Sequence, residues 1–334
     1  MSYHFGIVGC GRIAHRHAEQ VEKHGVLAAA CDIVPEKAAF FADRYKASPF
    51  FAIQDMLAKA SIDIVIICSP NGLHAEHAID CLSAHKHVLC EKPMCIRSTD
   101  ATAMIRTADD SGRKLFVVKQ NRYNPPVVFI RQLLMENKLG SIHSFQLNCF
   151  WNRDAEYYKT DWKGTLRLDG GTLFTQFSHF IDLLYWFLGD IKMVSGIRTN
   201  ARHQDIIEFE DCGSVILQMK NGAIGTLNYT INSFEKNMEG SITLFGETGT
   251  VTIGGQYLNE LKYFAVQGMQ PPVFPSSRPA NEYGTYTGSM SNHDLVYENM
   301  LKKLNDDSHD FVEAKEAAKT VEIIEKIYAA SREV

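Results

Sequence analysis

The stretch FGIVGCGRIAHRHAEQVEKHGVLAAACD, from Phe5 to Asp32, decides the fold of this chain. It reads as a buried strand, a glycine turn, a helix and a second strand that ends in an acid, the pattern of a dinucleotide-binding βαβ unit. Gly9 turns the chain, Gly11 lets the backbone approach a pyrophosphate, and the small Ala14 allows close packing of the helix. The helix N-terminus favours an anion through its free N–H groups and its dipole. Asp32 follows about 20 residues beyond the turn, where a carboxylate accepts hydrogen bonds from a ribose diol, so the motif favours NAD over NADP.

The composition is typical of a soluble globular protein with two domains. Of 334 residues, 45% are hydrophobic and 22% are charged,. The net charge of −5 argues against a general role in nucleic-acid binding,. We see no signal-peptide pattern and no apolar run long enough to span a bilayer, so we expect a cytoplasmic protein with no membrane partner. Eight scattered cysteines without a CxxC pair are typical of reduced thiols and not of a disulfide scaffold,.

Strands and helices alternate as far as about residue 122, which predicts an α/β domain with a doubly wound parallel sheet. Beyond the opening unit we predict helices over residues 35–47, 53–60, 74–85 and 97–111, and strands over residues 62–68, 87–91 and 114–122. Residues 1–122 are therefore the predicted dinucleotide-binding (Rossmann) domain.

From Tyr123 the pattern changes to that of an α+β domain, residues 123–334. A helix is predicted from Pro125 to about Asn137, followed by strands over residues 142–151, 193–201, 206–219, 223–231, 240–245 and 250–253. The turns KNG (220–222) and GETG (246–249) are typical of antiparallel hairpins. A loop rich in glycine, proline and serine, about residues 267–291, precedes the final helices, which can pack back on the first domain.

The strands of this domain predict a large, mainly antiparallel open sheet. Helices of the same chain usually cover one face of such a sheet, and the other face meets water or another subunit. We therefore expect this domain to bind substrate and to form a homo-oligomer, a dimer or a tetramer, through the open sheet.

Lys92 is the first candidate for chemistry. It ends the strand over residues 87–91, on the sheet edge that also carries Gly9 and Asn71, where ligands bind in open α/β sheets. A partly desolvated lysine there can accept a proton or orient a hydroxyl. The alternative is a lysine that extends into solvent beside a turn.

The second candidate lies in DGGTLFTQFSHFIDLLYWFLG, residues 169–189, whose apolar positions have helical spacing,. Thr175, His179 and Asp182 fall at i, i+4 and i+7, so we expect them to share one helix face. His179 paired with Asp182 suits a general base whose partner fixes its tautomer. A histidine on a mostly apolar helix is also often a satisfied core residue.

The segment from Trp151 to Arg167 combines four basic residues with several aromatic ones. Arginine and lysine suit a carboxylate or a diphosphate, and aromatic faces suit sugar or base rings. A solvated basic loop is the alternative. We predict no metal site, because the histidines at 74, 77, 85 and 87 lack a cysteine or an acid to complete a ligand set, and we interpret them as surface or cofactor-side residues.

Four motifs in order along the chain resemble the glucose–fructose oxidoreductase and inositol dehydrogenase family, also called Gfo/Idh/MocA. They are CGRIA (10–14), CSPNGLH (68–74), CEKP (90–93) and GGTLFTQFSHFID (170–182). The resemblance implies an NAD-dependent dehydrogenase in which Lys92 and His179 lie near the reacting carbon. Many members carry an aspartate four residues before the histidine, whereas this chain has Thr175, which removes repulsion against a negatively charged substrate.

Longer segments resemble the bacterial UDP-N-acetyl-2-amino-2-deoxy-D-glucuronate dehydrogenases of that family. They are KQNRYNPP (119–126), FWNRDAEYYKTDWKGT (150–165), FTQFSH (174–179) and YGTYTGSMSNHDLVYEN (283–299). The resemblance implies oxidation of the sugar C3 hydroxyl by hydride transfer to C4 of NAD⁺, in the synthesis of lipopolysaccharide (O-antigen type) sugars. The hydroxyl proton would leave to His179 or Lys92, and the other group would orient the oxygen. Some of these enzymes regenerate NAD⁺ with 2-oxoglutarate, and the sequence leaves that point open here.

Two alternatives remain: a dehydrogenase of another sugar or inositol, and a non-catalytic dinucleotide-binding regulator. Retention of Lys92 and His179 argues against the regulator, and both residues are the predicted catalytic groups. We expect the following contacts with NAD: Gly9, Gly11, Arg12, Ile13, Asp32, Ser69, Asn71, His74, Glu91, Lys92 and Gln120. We expect the following contacts with a nucleotide-sugar substrate: Lys92, Asn121, Arg122, Arg153, Tyr157, Lys163, Thr175, Gln176 and His179.

Overall fold

The computed structural model describes residues 2–274, 280–282, 287–309 and 311–334. The chain divides into two compact units. The first unit comprises the residues as far as Lys119 and His293–Val321, and the second comprises Gln120–Asn292 and Glu322–Val334. Parts of the predicted loop at 267–291 and of the motif at 283–299 lie outside the described residues. Over the described ranges, no helix combines the length and the apolar character that crossing a membrane requires.

Strands and helices alternate in the first unit. As far as Lys119 they are β1 (Tyr3–Val8), α1 (Arg12–His24), β2 (Gly25–Cys31), α2 (Pro35–Tyr45), β3 (Ser48–Phe50), α3 (Ile53–Lys59), β4 (Ile64–Ile67), α4 (His74–Ser83), β5 (His87–Cys90), α5 (Ser98–Ser111) and β6 (Leu115–Val117). The strands form one parallel sheet in the order β3-β2-β1-β4-β5-β6. This is the order of the doubly wound dinucleotide-binding fold, whose ligand crevice lies at the carboxyl ends of the strands where the order reverses. The predicted Rossmann sheet is confirmed.

The sequence explains why this sheet is buried. All four residues of β4 are inaccessible to solvent, as expected for an apolar strand covered on both faces,. On α1 the buried side chains Ala14, Ala18 and Val21 follow one another at helical spacing and form the face that is removed from water,.

Two details of the first sheet differ from the prediction. The short β3 follows α2 and was not expected. The strand predicted over residues 114–122 ends at Val117, and Gln120–Tyr123 form a single 3₁₀ turn. The polar side chains of Lys119–Arg122 are buried beyond the end of the strand, where Arg122 pairs with Asp182.

The second unit begins with a helix and then contains mainly strands. Its elements from Gln120 onward are α6 (Pro125–Met135), β7 (Ile142–Phe150), α7 (Thr172–Thr175), α8 (Ser178–Leu188), β8 (Ile191–Thr199), β9 (Cys212–Met219), β10 (Ile224–Thr230), β11 (Glu239–Gly246), β12 (Gly249–Gly254), β13 (Glu260–Val266), β14 (Ala280–Glu282) and β15 (Thr287–Met290). The remaining elements are α9 (His293–Asn305), α10 (Ala314–Ala330) and β16 (Ser331–Glu333). The first unit contains α9 and the second contains β16, whereas α10 continues from one unit into the other at Val321.

Eight strands of the second unit form one sheet in the order β13-β12-β11-β7-β10-β9-β8-β16. Its pairs are antiparallel except β7 with β10 and β8 with β16, which are parallel. The KNG and GETG turns join β9 to β10 and β11 to β12 as antiparallel hairpins, as predicted. The mainly antiparallel open sheet is therefore confirmed.

The strand predicted over residues 206–219 begins later, at Cys212. The carboxylate of Asp211 explains this, because it accepts backbone N–H groups from Ala201, Arg202 and His203 at 2.8–3.2 Å. These hydrogen bonds fold residues 201–211 into turns, so the ladder can begin only after Asp211.

The two faces of this sheet differ in composition. Phe145, Leu217 and Leu244 belong to the buried face, which α8 contacts through β7. The other face carries alternate residues of two kinds. Some are polar, and the others are large apolar side chains with about half of their surface exposed. These apolar residues, 51–53% exposed, are Met193, Ile197, Ile216 and Ile224. The alternation is the period of two expected for a sheet with one covered face.

Candidate functional site

Gly9 makes the turn between β1 and α1. Its φ is +91°, and its N–H donates to the carbonyl of Cys31 at 2.8 Å. A Cβ atom on Gly9 would lie 2.7 Å from the carbonyl group of Cys68 and from the nitrogen of Ser69. Only glycine allows this approach, which brings the turn against the end of β4. The loop that begins at Ser69 and the glycine turn therefore adjoin at the predicted ligand edge.

Gly11 has a different role from Gly9. It is the N-cap of α1, with an ordinary φ of −83°. Among the described residues, nothing lies within 4 Å of a Cβ atom built on it. The first turn of α1, which begins with Arg12 and Ile13, contains no acidic residue. Open space in front of a helix N-terminus fits the pyrophosphate of a dinucleotide.

Asp32 follows β2 directly, and its carboxylate is held by two backbone groups. The N–H of Cys10 donates to Oδ2 at 2.8 Å, and the N–H of Val34 donates to Oδ1 at 2.9 Å. These bonds fix the carboxylate beside the glycine turn. Carboxylate oxygens can accept more than one hydrogen bond, so this position fits a ribose diol.

His74 is buried, which excludes a surface position, and the alternative that it lies on the cofactor side stays a prediction. Its Nδ1 lies 2.7 Å from the carbonyl oxygen of Pro93, and its Nε2 lies 2.8 Å from that of Ser69. Burial lowers the pKa of His74, so the ring is neutral and donates to one carbonyl at a time,. The side chain connects the segments after β4 and β5, and any contact with a cofactor would involve its ring carbons.

Glu91 and Lys92 follow β5, at the predicted edge. Glu91 is buried, and its carboxylate accepts hydrogen bonds from His17 Nε2 at 2.9 Å and from the backbone N–H of Lys92 at 3.0 Å. Asn71, also buried, begins a 3₁₀ turn after β4. The first unit therefore brings Gly9, Ser69, Asn71 and Lys92 to the carboxyl ends of β1, β4 and β5.

In the second unit the predicted single helix over Thr175, His179 and Asp182 is two helices. Thr175 ends α7, and α8 begins at Ser178 after Phe177, whose φ of −115° and ψ of 7° are not helical. The ring of Phe177 packs 5.3 Å from that of Trp151, centroid to centroid, and this burial stabilises the interruption,. The expectation that Thr175 shares a helix face with the other two residues is therefore wrong.

Asp182 forms a buried ion pair with Arg122. Nε and Nη2 of Arg122 donate to the two carboxylate oxygens at 2.8 and 2.9 Å, and its guanidinium lies 4.9 Å from the ring centre of Trp186. Both side chains are at most 4% exposed. This pair connects the 3₁₀ turn after β6 to α8, which carries the buried His179. Pairing of Asp182 with His179 stays a prediction.

Arg153 is the centre of a second buried cluster. Its Nε donates to Gln176 Oε1 at 2.7 Å and its Nη1 to Asn237 Oδ1 at 3.1 Å. Gln176 Nε2 in turn donates to the hydroxyl of Tyr157 at 2.8 Å. The guanidinium lies 4.9 and 5.1 Å from the ring centres of Trp151 and Tyr157. Three predicted substrate residues, Arg153, Tyr157 and Gln176, are thus in direct contact.

Lys163 joins this cluster, and the other two basic residues of the segment do not. Its Nζ lies 3.3 Å from the ring centre of Tyr157, a cation–π contact,. Lys159 and Arg167 are exposed, and Lys159 pairs with the neighbouring Glu156. Two of the four cations therefore converge on one tyrosine.

Sequence reasoning missed His203 and Asn237. His203 Nε2 lies 2.9 Å from the carbonyl oxygen of Arg153, and its Nδ1 lies 3.1 Å from Asp211 Oδ2. These contacts join residues far apart in the chain, so no local spacing signals them.

Among the predicted residues, Asn121 is the most informative, because it is 1% exposed and neither atom of its amide has a partner within the described part of the chain. Buried amides are nearly always hydrogen-bonded, so a bound molecule would satisfy this one.

Comparison with known proteins identifies the family. Residues 3–119 match the model of an oxidoreductase family with an NAD-binding Rossmann fold, and residues 127–252 match the GFO/IDH/MocA C-terminal domain. The structure is similar to that of the WlbA dehydrogenase from Bordetella pertussis in complex with NADH and UDP-GlcNAcA, with a TM-score of 0.89 and 32% identity over 99% of this chain and 96% of that chain. The WlbA enzyme from Chromobacterium violaceum, also in complex with NADH and UDP-GlcNAcA, has a TM-score of 0.88 and 34% identity over 98% of this chain and 93% of that chain.

A curated relative, the glucose-6-phosphate 3-dehydrogenase of Bacillus subtilis, is 29% identical over 228 residues. That alignment covers 65% of this chain and 64% of the relative's own length. The two family models together with the full-length structural matches are decisive. The chain belongs to the GFO/IDH/MocA family of oxidoreductases and has that family's NAD-binding Rossmann domain and C-terminal domain.

Proposed function

We propose that this protein oxidises the C3 hydroxyl of UDP-N-acetyl-2-amino-2-deoxy-D-glucuronate to the 3-keto sugar with NAD⁺. The observation that carries this proposal is the match over nearly the whole chain, at 32% and 34% identity, to two WlbA dehydrogenases in complex with NADH and UDP-GlcNAcA. The motifs KQNRYNPP and FTQFSH, which suggested the same sugar, supply buried polar groups of the second unit. We propose a role in the synthesis of lipopolysaccharide sugars in the cytoplasm, a reducing compartment that suits eight free cysteines,.

Residues of the first unit would hold the cofactor. When bound, NAD⁺ supplies the hydride acceptor. The N-terminus of α1, with Gly11 as its N-cap, would bind the pyrophosphate, and Asp32 would accept hydrogen bonds from the ribose hydroxyls. A 2′-phosphate in that position would meet the negative charge of Asp32, which favours NAD⁺ over NADP⁺.

Lys92 and His179 would handle the hydroxyl proton. Lys92 lies at the edge where doubly wound sheets bind ligands, and His179 is 2% exposed on α8,. One group would accept the proton while the other orients the oxygen, and they would titrate as a coupled pair.

The cluster around Tyr157 suits the anionic part of the substrate. Arg153 and Lys163 bring two positive charges to one aromatic ring, and these charges complement a uronate carboxylate or a diphosphate,. The amide of Asn121 would bind a sugar or cofactor hydroxyl. Thr175, in place of the aspartate of many relatives, avoids repulsion of the uronate.

We also propose a homo-oligomer, a dimer or a tetramer, formed through the open face of the eight-stranded sheet. Met193, Ile197, Ile216 and Ile224 expose large apolar surfaces on this face. Apolar side chains grouped on one sheet face are typical of subunit interfaces.

Single-turnover reduction of bound NAD⁺ tests the proposal. Protein loaded with NAD⁺ is mixed with the UDP-linked uronate, with a free hexose or with inositol, and the reduced-nicotinamide absorbance is followed. We expect a signal with the UDP-linked uronate alone. A signal only with a free sugar or inositol would favour the first alternative, and tight NADH binding without reduction by any of the three would favour the regulator.

Alanine variants test the catalytic residues. Lys92→Ala and His179→Ala should each keep NADH binding, measured by fluorescence, and lower the rate of reduction at least 100-fold, as general acid–base groups typically contribute. Lys23→Ala and His143→Ala replace exposed residues of the same types and should leave the rate unchanged. An unchanged rate in both test variants would refute their roles.

A further inference from the structure

Four side chains of the first unit form a buried hydrogen-bonded cluster beside Lys92, which we call the Glu91 cluster. Glu91 Oε1 lies 2.9 Å from His17 Nε2 and 3.4 Å from His293 Nε2. The other nitrogen of His17, Nδ1, lies 2.9 Å from the hydroxyl of Tyr297. His17 and Tyr297 are inaccessible, and Glu91 and His293 are at most 5% exposed. The members come from α1, from the end of β5 and from α9.

The proposed chemistry does not explain why these groups are buried together. A carboxylate and two imidazoles removed from water lose solvation that apolar side chains would not lose. His293 and Tyr297 belong to the segment SNHDLVYEN at 291–299, which the site described above does not use. Burial of this cluster costs free energy, and the cluster contacts the backbone of Lys92. Both observations indicate that the cluster has a function at Lys92.

Glu91 is the negatively charged member of the cluster. Burial alone would raise the pKa of Glu91, but hydrogen bonds from His17 and His293 outweigh it and hold this pKa well below the ordinary value. Burial lowers the pKa of His17, so that imidazole is neutral and donates its Nε2–H,. Burial also keeps the other titratable groups that face Glu91 uncharged. They are Cys68 after β4, Cys90 on β5, His74 on α4 and Tyr297 on α9.

Two side chains fix the backbone on either side of Lys92. Glu91 Oε2 accepts the N–H of Lys92 at 3.0 Å, and His74 Nδ1 lies 2.7 Å from the carbonyl oxygen of the next residue, Pro93. The backbone of Lys92 therefore has little freedom. The residue directly before Lys92 thus carries a buried carboxylate that is hydrogen-bonded to the Lys92 backbone.

We propose that Glu91 is a positioning residue for Lys92: held by His17 and His293, its carboxylate fixes the backbone of Lys92, and its charge stabilises the protonated ammonium of that lysine. The role rests on the function proposed for Lys92. The expected effect of the Glu91 charge on the Lys92 ammonium is the same whether Lys92 is the base or orients the hydroxyl as a cation. Removal of the negative charge lowers the pH at which the ammonium loses its proton.

A metal ion is the competing explanation, because the ligand atoms of His17, Glu91 and His293 lie within 4.8 Å of one another. Ligands of a tetrahedral zinc with bonds of about 2.1 Å would be separated by roughly 3.4 Å. The separation of 2.9 Å between His17 Nε2 and Glu91 Oε1 is instead that of a charge-assisted hydrogen bond,. Each contact in the cluster has a donor and an acceptor, so hydrogen bonds account for it.

The experiment measures the protonation of Lys92 directly. The purified protein is treated briefly with a small amine-acylating reagent over a series of pH values, and modification of Lys92 is quantified by mass spectrometry. Glu91→Gln keeps the shape of the side chain and removes its charge, and we expect it to lower the midpoint of Lys92 labelling by about one pH unit. The midpoint of the exposed Lys23 should stay the same in both proteins. An unmoved Lys92 midpoint overturns the proposal.

A second variant separates charge from packing. His293→Phe removes one donor to Glu91 but keeps the carboxylate, so the midpoint of Lys92 labelling should move by less than a third of the shift in Glu91→Gln. If Glu91→Gln does not fold, the double variant Glu91→Gln/His293→Phe, which removes the His293 donor that faces the new amide, replaces it, with the same expected shift. A stoichiometric metal in the purified protein that is lost in His293→Phe overturns the hydrogen-bonded interpretation.

Turnover distinguishes this proposal from the function on which it rests. Loss of reduction in Lys92→Ala together with an unmoved labelling midpoint in Glu91→Gln contradicts the role of Glu91 alone. Full reduction in Lys92→Ala contradicts the proposed function of Lys92, whatever the labelling shows. The expected result is a lower midpoint in Glu91→Gln and a turnover about tenfold lower.

Discussion

Glu210 is a buried carboxyl group whose ionisation should set much of the pH dependence of stability in the second unit. It is 1% exposed, and the hydroxyl of Tyr328 donates to its Oε1 at 2.7 Å. The same hydroxyl accepts the N–H of Leu173 at 2.9 Å, at the start of α7. Burial raises the pKa of Glu210 to about 7, although the Tyr328 hydrogen bond and the charge of Arg198 lower it in part.

The sign of the effect follows from the raised pKa. The ordinary value is 4.5, so folding favours the protonated form, and its stabilising contribution is complete below pH 4.5 and is lost as the pH rises through 7,. The total loss at alkaline pH is about 3.4 kcal/mol, from a shift of about 2.5 units at 1.36 kcal/mol each,. Between pH 6 and pH 8 this group alone should cost about 1.3 kcal/mol of unfolding free energy.

Glu210→Gln removes this contribution and keeps an oxygen that accepts the Tyr328 hydroxyl. We expect the stability difference between variant and parent to shift by about 1.3 kcal/mol in favour of the variant from pH 6 to pH 8. Urea unfolding followed by tryptophan fluorescence measures it, because all three tryptophans lie in the second unit. The exposed Glu208 provides the control, since Glu208→Gln should change stability equally at both pH values. An equal effect of Glu210→Gln at pH 6 and pH 8 would refute the reasoning.

Two further predictions concern the glycine turn and the buried ion pair. Gly9→Ala should lower the unfolding free energy by about 1–3 kcal/mol, because the φ of Gly9 is +91° and a Cβ atom there would contact the backbone,. Gly11→Ala should instead keep the stability and weaken NADH binding. Urea unfolding and NADH titration distinguish the two variants. Equal stability losses would contradict this reading of the turn. Arg122→Met should cost about 3–5 kcal/mol by leaving Asp182 buried without its partner, and Arg122→Met/Asp182→Leu should recover most of it in urea unfolding,. A double variant less stable than Arg122→Met would show that the pair itself contributes net stability.

Most of the fold could be predicted because its signals are local. The strand, the glycine turn and the helix over Phe5–His24 are contiguous, and hairpins such as the one at Lys220–Gly222 depend on a few turn residues. Parallel order follows from alternation of strands and helices. β13 at Glu260–Val266 was missed, because its residues lack a clear apolar alternation and four of the seven are exposed at the sheet edge,.

The candidate site could be predicted in its residue types and less well in its contacts. Helical spacing suggested one helix across Gln176 and Phe177, but packing of Phe177 on Trp151 outweighed that pattern. Arg122 and Asp182 were both singled out, yet their pairing joins positions 60 residues apart. Contacts of this kind depend on the assembled sheet and helices, and a period in the sequence cannot encode them.

The predicted site residues fall into two chemical groups, and this division bears on how their variants should be interpreted. Glu91, Arg122 and Arg153 have polar atoms that already bind other side chains or the backbone, so replacing them releases a partner as well as removing a contact with ligand. Asn121 is different, because its buried amide has no partner within the described part of the chain. Loss of ligand affinity in Asn121→Ala, without loss of stability, therefore reports binding, whereas loss of activity in Arg153→Ala combines binding with disruption of the cluster. Conservative changes such as Arg153→Lys, compared with Asn121→Ala in both unfolding and titration with the UDP-linked uronate, separate the two contributions.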